Sequence, residues 1–352
     1  MAKYRIPVYS ELASFYDVQF CFSLAKEQDG FVSTLQDFPY QGKVVIPKLI
    51  SFVKFYYQFN KLKYSFKFQP DVILMAGNLR DLSFWMLLIF GRFMGYKMVI
   101  HGQGPFNKVA DGNIFHRFMY GAILYLSDKY ICYNAFSLES FVSHKVPYIS
   151  KVCFVNNIVN YNCDVAEIRQ REYSQLGILF VGRLRSDSKF RNLLMIVQNL
   201  RKYFSDLRIH VVGDLVKESN LHILENNNDI VVYHGKTHSF YELMNIAKEC
   251  SLACYPGDAG LSVVTYMALG LGVIAHDDLY KHKGPEIAYL TFGEDSLSFQ
   301  RENWQDLEKV LHSALTSEVL RRNLGRSAHE KFLSLNEPSY GSALHTVLED
   351  IL

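Results

Sequence analysis

The sequence predicts an α/β protein built from two parallel sheets, each wrapped by helices. Three observations lead there. Short apolar runs alternate with helix-patterned segments through both halves of the chain, the arrangement of parallel sheets covered on both faces. Several runs end on glycine, among them those closing at Gly77, Gly182, Gly235 and Gly257, and glycine lets the chain turn tightly at the carboxyl edge of a sheet. A length of 352 residues, with 49% hydrophobic and 20% charged side chains, suits two packed domains better than one.

In chain order, YDVQFCF (16–22) and GKVVI (42–46) read as strands. A long segment from Lys48 to Lys67 follows. PDVILMAG (70–77) reads as a buried strand, LSFWMLLIFGRFMG (82–95) as a helix, and YKMVIHGQG (96–104) as a strand entering a glycine turn. KYICYN (129–134) and KVCFVNN (151–157) are two more strands. Residues 158–176 are polar and aperiodic, and the domain junction is placed there. The pattern then restarts with strand 177–182, a helix from Asn192 to Tyr203, strands 207–214 and 230–235, helix 239–250, strand 252–257, helix 262–270 and strand 272–277. Ser239 followed by Glu242 predicts a capping box on the second of these strand-to-helix turns. Helical patterns fill 304–315 and 318–334, Pro338 breaks the chain, and 342–352 forms a last helix.

Net charge is +2 but uneven, with the basic excess in residues 1–150 and an acidic excess after them. A basic first half suits an anionic surface or substrate on that side. The six cysteines form no CxxC pair and no His/Cys ligand spacing, which predicts reduced buried thiols, a cytoplasmic setting and no metal. MAKYRIPVYSELA lacks the apolar core of a signal peptide, and the longest apolar run, FWMLLIF at 84–90, is too short to span a bilayer. No G-x-G-x-x-G follows a strand with an acidic residue downstream, which argues against a nicotinamide oxidoreductase.

Three stretches of the second half carry the chemistry. In FVGRLRSDSK (180–189) a strand ends at Gly182, with Arg183 and Lys189 just beyond. Singly, each is as readily a solvated surface charge. Together they suit a diphosphate, Arg forking across oxygens and Lys acting as a point charge. In VVYHGKTHSFYEL (231–243), the loop at Gly235 and Lys236 offers backbone groups to a base. In PGDAGLSVVTYMALGLGVIA (256–275), Gly257, Asp258, Gly260, Leu261 and Ser262 precede an apolar helix. Bare amides and a helix start there suit a phosphate, though a tight packing loop would have the same composition.

In order and spacing, ILFVGRL…K, VVYHGK…ELMNIAKECSLACYPG and GLSVVTYMALGLGVIA resemble the donor half of a GT-B glycosyltransferase, in particular glycosyltransferase family 4 in its bacterial surface-polysaccharide branch. The resemblance is clear over 177–290 and weaker over 1–160. It implies two Rossmann-like domains facing across a cleft: residues 1–165 on the acceptor side, 166–335 on the donor side, and a helix in 336–352 returning toward the first. It implies a retaining transfer from a UDP- or GDP-sugar with no metal. Gly182, Arg183, Lys189, Gly235, Lys236, Gly257, Asp258, Gly260, Leu261, Ser262 and Thr265 then contact the donor, and His101 and Gln103 the acceptor side. His101, Arg183 and Lys189 are the catalytic candidates. Asn157 resembles the asparagine at the interdomain crossover, and the role of Glu286 is open. The family's two glutamates fall on Gly257 and Thr265, and its usual glycine after the lysine is Phe190. The family opens with a strand and a glycine-rich loop before a YR element. Here Tyr4 and Arg5 stand almost first, so either the true start lies upstream or that strand is missing.

Residues 48–68, KLISFVKFYYQFNKLKYSFKF, hold five lysines, eight aromatics and no acid. That composition predicts a helix lying on the anionic inner face of the cytoplasmic membrane. It agrees with a lipid-linked glycan acceptor in O-antigen, capsule or exopolysaccharide synthesis, which the resemblance implies. No nucleic-acid motif accompanies it. The sequence thus leads to a peripherally membrane-associated sugar transferase. A GT-B-like partner protein without catalysis is the alternative, favoured by the absent glutamates.

Overall fold

The structure is a computed structural model that describes residues 3–24, 38, 40–50, 55–106, 114–159, 161, 165–215, 218–237 and 239–352. The chain divides into two compact units, residues 1–160 together with 336–352, and residues 161–335.

In the first unit, helix α1 (Ile6–Phe15) leads into β1 (Phe20–Phe22), which pairs in parallel with β2 (Gly42–Val44). The strand expected over 16–22 is therefore only its last three residues, because α1 runs through Phe15. β3 (Ile46–Ile50) and β4 (Phe55–Phe59) form an antiparallel pair, Lys48 opposite Tyr57. Helix α2 (Lys61–Phe68) follows. The helix expected over 48–68 is thus replaced in its first part by a strand pair. Aromatic Phe55, Tyr56, Tyr57 and Phe59 fit a pleated, half-buried surface, and Asn60 in the left-handed region (φ 63°) separates strand from helix. Phe52 and Lys54 of that stretch lie outside the described residues, as does Cys163.

A four-stranded parallel sheet is the centre of this unit: β5 (Val72–Ala76), β6 (Lys97–Gly102), β7 (Lys129–Cys132) and β8 (Val152–Phe154), in that order. α3 (Leu82–Phe93), α4 (Ile114–Leu126) and α5 (Ala135–Ser143) connect the strands. Asp81 caps α3 through the Ser83 amide at 2.9 Å and is paired with Lys61 at 2.9 Å. Phe84, Leu87 and Leu88 of α3 and Ile123 and Leu124 of α4 share one core with Ile73, Met98 and Ile100 of the strands.

The second unit opens with the short α6 (Val165–Arg169), and its sheet contains β9 (Gly177–Val181), β10 (Arg208–Val212), β11 (Val231–Tyr233), β12 (Cys250–Tyr255), β13 (Gly272–His276) and β14 (Ser296–Phe299). All pairings are parallel, in the order β11-β10-β9-β12-β13-β14. β12 and β13 are buried along their whole length, as expected of strands covered on both faces. α7 (Phe190–Leu200), α8 (Glu218–Glu225), α9 (Phe240–Ala247), α10 (Ser262–Ala268), α11 (Trp304–Thr316) and α12 (Glu318–Leu335) complete the unit. Counted from β9, the order is 3-2-1-4-5-6, that of a dinucleotide-binding doubly wound sheet, whose switch point lies between the first and fourth strands.

The last helix, α13 (Tyr340–Glu349), belongs to the first unit and packs on α1. The rings of Phe15 and His345 stack at 3.9 Å, the Tyr16 hydroxyl meets His345 Nδ1 at 2.7 Å, and Glu11 accepts from the Ser339 and Ser342 hydroxyls. Among the described residues no helix is long and apolar enough to cross a membrane.

Candidate functional site

The switch point of the second sheet lies where β9 and β12 end, and the loops that follow these two strands meet there. The loop after β9 carries Arg183 to Lys189. Arg183 is exposed and has no ion-pair partner among the described residues. Lys189 begins α7 in the left-handed region (φ 56°) and stands 3.7 Å from Glu302. The loop after β12 comes up against it backbone to backbone. A Cβ on Gly257 would lie 2.0 Å from the Asp187 carbonyl oxygen, so only glycine fits. The glutamate that the resemblance places at 257 is sterically excluded while the 186–188 turn stays where it is.

The structure also shows which groups beyond Gly257 remain open. The Ala259 amide is taken: it donates to His282 Nδ1 at 3.0 Å, and the Lys283 amide donates to the Ala259 carbonyl at 2.8 Å. The amides of Gly260, Leu261 and Ser262, at the start of α10, have no partner among the described residues. Asp258 is held by His276 Nε2 at 3.2 Å and Arg301 at 3.4 Å. The buried Thr265 shares a hydrogen bond of 3.0 Å with the Tyr161 hydroxyl. The third loop is less closely gathered: the Gly235 carbonyl accepts from the Gly213 amide at 2.8 Å, and Lys236 lies 4.0 Å from Asp214.

The supports of these loops leave no mark in the sequence motifs. His282 accepts at Nδ1, so its hydrogen is on Nε2 and is given to the His276 carbonyl at 3.0 Å. Burial first, then the neighbouring His276, depresses its pKa to about 3, so the ring is neutral and the tautomer fixed. His276 stacks on it at 3.6 Å and is itself buried. Burial lowers the His276 pKa too, although Asp258 works the other way. Lys283, 2.7 Å from Asp187, links this loop to the Arg183–Lys189 loop. Burial works to raise the Asp187 carboxyl, but Lys283 and Arg185 outweigh it and hold the group below its usual range. Local sequence carries no sign of these pairings, which depend on β13 ending beside β12. The capping box at α9 is also indirect. Ser239 accepts from the Glu242 amide, but Glu242 bonds Thr237, whose hydroxyl oxygen accepts from the Ser239 amide. Glu286 is buried and folds back against Gly284.

In the first unit His101 is the last residue but one of β6. Its Nε2 is 2.7 Å from the Tyr340 hydroxyl, and its ring lies 4.9 Å from that of Tyr133. Burial first, then the Arg5 charge, depresses its pKa to about 3. Arg5 lies over the Tyr340 ring at 5.0 Å and donates to Asn157 Oδ1 and to the Ile158 carbonyl. His101 is therefore a neutral imidazole held by groups from both ends of the chain. Gln103, two residues on, is partly buried. Among the described residues no cluster of three His, Cys, Asp or Glu is placed to hold a metal.

Comparison with curated proteins gives no match. Among solved structures, the chain is similar to sucrose-phosphate synthase from Thermosynechococcus elongatus, at 14% identity and TM-score 0.70, covering 98% of this chain and 91% of that one. It is similar to Anabaena HepE in complex with UDP and glucose, at 13% identity and TM-score 0.64, covering 98% and 95%. It is also similar to a mutant of TarM from S. aureus in complex with fondaparinux, alpha-GlcNAc-glycerol and UDP, at 14% identity and TM-score 0.59, covering 86% of this chain. The chain spans 57% and 61% of the lengths of the two TarM chains it matches. These likenesses show the fold: the chain has the α/β architecture of parallel sheets found in GT-B structures. Residues 167–331, just under half of the chain, match the family model described as glycosyl transferases group 1.

Proposed function

We propose that the protein is a retaining glycosyltransferase that moves a sugar from a nucleoside-diphosphate sugar to a lipid-linked glycan acceptor in bacterial surface-polysaccharide synthesis. One observation carries the reading. The unpaired Arg183 and the open amides of Gly260, Leu261 and Ser262 follow the two strands that flank the switch point of a 3-2-1-4-5-6 sheet, the place where such sheets bind nucleotides. The match of 167–331 to the glycosyl transferase model supports it, as does the UDP bound by HepE and TarM.

In this reading the diphosphate lies against Arg183, Lys189 and those amides. They stabilise the charge that grows on the leaving nucleoside diphosphate as the glycosidic bond to it breaks. Gly235 and Lys236 lie on the base side. Asp258 and Thr265, already bonded to His276, Arg301 and Tyr161, shape the loop. His101 and Gln103 serve the acceptor side, where a neutral imidazole gives or accepts a hydrogen bond without adding charge. The acceptor's lipid brings the protein to the inner face of the cytoplasmic membrane.

The test is Arg183→Ala, followed by nucleotide titration and by sugar transfer. Both are expected to fall, nucleotide affinity by about tenfold or more, since a charge-assisted contact is worth about 1.5–3 kcal/mol. Unchanged values for both would remove the assignment. A thermal-shift screen over UDP, GDP and their sugars separates the alternatives, because a ligand that binds only the native state raises its melting temperature. Binding with turnover identifies an enzyme; no binding of any nucleoside diphosphate identifies the non-catalytic partner protein.

A further inference from the structure

Helix α3 is apolar on every side. Phe84, Leu87, Leu88 and Gly91 face the core and are buried. Its other stripe, Met86, Ile89, Phe90, Phe93 and Met94, is exposed, Phe93 by 86%. A helix hydrophobic all round is ordinarily covered on all sides. The neighbouring α4, which contacts α3 and shares its core, shows the same excess. Ile114, Phe115, Phe118 and Tyr125 are exposed, Ile114 by 80% and Phe118 by 72%. Patches of this kind on otherwise soluble folds mark sites of association.

The charges around the patch select the occupant. Arg92, Lys97 and Arg117 are exposed on or beside these helices. The described residues between 82 and 127 contain no Asp or Glu. Phenylalanine and methionine framed by Arg and Lys match an anionic lipid surface: apolar rings enter the acyl boundary and the cations meet headgroups. A second copy docked through the same patch would set these cations against their own kind, which opposes a symmetric dimer.

Lys48, Leu49 and Phe59 are exposed on β3 and β4, but helix α2 is a poorer surface than α3 and α4. In α2 only the lysines Lys63 and Lys67 are exposed, while Leu62 and Phe66 pack against the core. We infer that the outer face of α3 and α4, rather than helix α2, is the surface by which the protein lies on an anionic membrane. This rests on the membrane association proposed above and names the side chains responsible.

The test is co-sedimentation of the full chain with phosphatidylcholine vesicles, with and without phosphatidylglycerol. Three variants are compared: Phe93→Ser with Phe118→Ser, Arg92→Glu with Arg117→Glu, and Lys63→Glu with Lys67→Glu. The wild-type chain is expected to bind the anionic vesicles alone. The first two variants should each bind about tenfold more weakly or worse, and the third should bind as the wild type does. Far-UV circular dichroism and the melting temperature of every variant show whether the fold is intact. If the serine pair fails to fold, the arginine pair carries the test. Normal binding by the first two variants with loss in the third would overturn the inference and leave membrane association standing. Failure of the wild type to bind any vesicle would remove both. A wild-type dimer that the serine pair converts to monomer would overturn the inference alone, since the patch would then be a protein interface.

Discussion

The Ala259 amide donates to Nδ1 of His282 at 3.0 Å, and through that bond a buried imidazole holds open the loop proposed to take the donor phosphates. His282→Ala would leave a fully buried N–H without an acceptor, at a cost of about 1–3 kcal/mol. The freed loop should also bind nucleotide more weakly. Urea denaturation and nucleotide titration of the same preparation check both. A variant with unchanged stability and affinity would show that the bond is incidental.

Gly257 is where the two loops touch. A methyl group there would lie 2.0 Å from the Asp187 oxygen, too close for any rotation to relieve. Gly257→Ala should cost about 1–3 kcal/mol, the usual penalty of overpacking, and should displace the 183–189 loop so that nucleotide affinity falls with stability. Gly260→Ala is the control. Its Cβ would come no nearer than 3.8 Å to Lys283 Cβ, so stability should hold. Equal melting temperatures for the two variants would contradict the close approach.

Tyr340 and His101 form a second dependent pair. Tyr340→Phe removes the hydroxyl 2.7 Å from His101 Nε2 and should cost about 1 kcal/mol of stability. In the proposed reaction it lowers kcat, because the imidazole loses its fixed orientation. Donor affinity stays unchanged, because the donor contacts belong to residues 161–335. A loss confined to the donor KM would place Tyr340 elsewhere in the mechanism.

Stability should depend on pH in a defined window. His101 and His282 have folded pKa values near 3, below the ordinary 6.5. Between those limits the unfolded chain binds protons that the folded chain refuses. Stability is therefore full above 6.5 and drains away as pH falls toward 3, by up to a few kcal/mol for the two groups together. Urea midpoints at about pH 7.5 and about pH 5 measure it. A flat profile would mean that neither ring is buried as described.

The second sheet was legible because its strands are nearly uninterrupted apolar runs ending on glycine. Gly177–Val181, Cys250–Tyr255 and Gly272–His276 each lie within two residues of the segments read for them. Residues 46–59 were not, because lysines and aromatics at mixed spacing fit a helix as well as a strand pair, and only the pairing of Lys48 with Tyr57 decides. α1 was missed as a helix because no side-chain cap marks the start of Ile6–Phe15. In the site, Arg183 and Lys189 announce themselves by following a strand and a glycine. His276 and His282 do not, since a buried imidazole leaves no local pattern and their stacking arises from long-range folding. Tyr340 is further still from His101 in sequence, and nothing short of the packing of α13 could connect them.

That packing also fixes an order of events. Synthesis proceeds from the amino end, and domains fold largely as they emerge. Residues 161–335 form a continuous unit and are all available before α13 is made. The first unit, although most of it is translated earlier, lacks the helix that covers α1, the hydroxyls that meet Glu11, and the tyrosine that orients His101. The half of the protein begun first is the half completed last. A nascent chain halted before Ser339 would already hold all of the second sheet while the first unit still lacked α13, so synthesis of that helix, and not emergence of the first strands, completes the first unit.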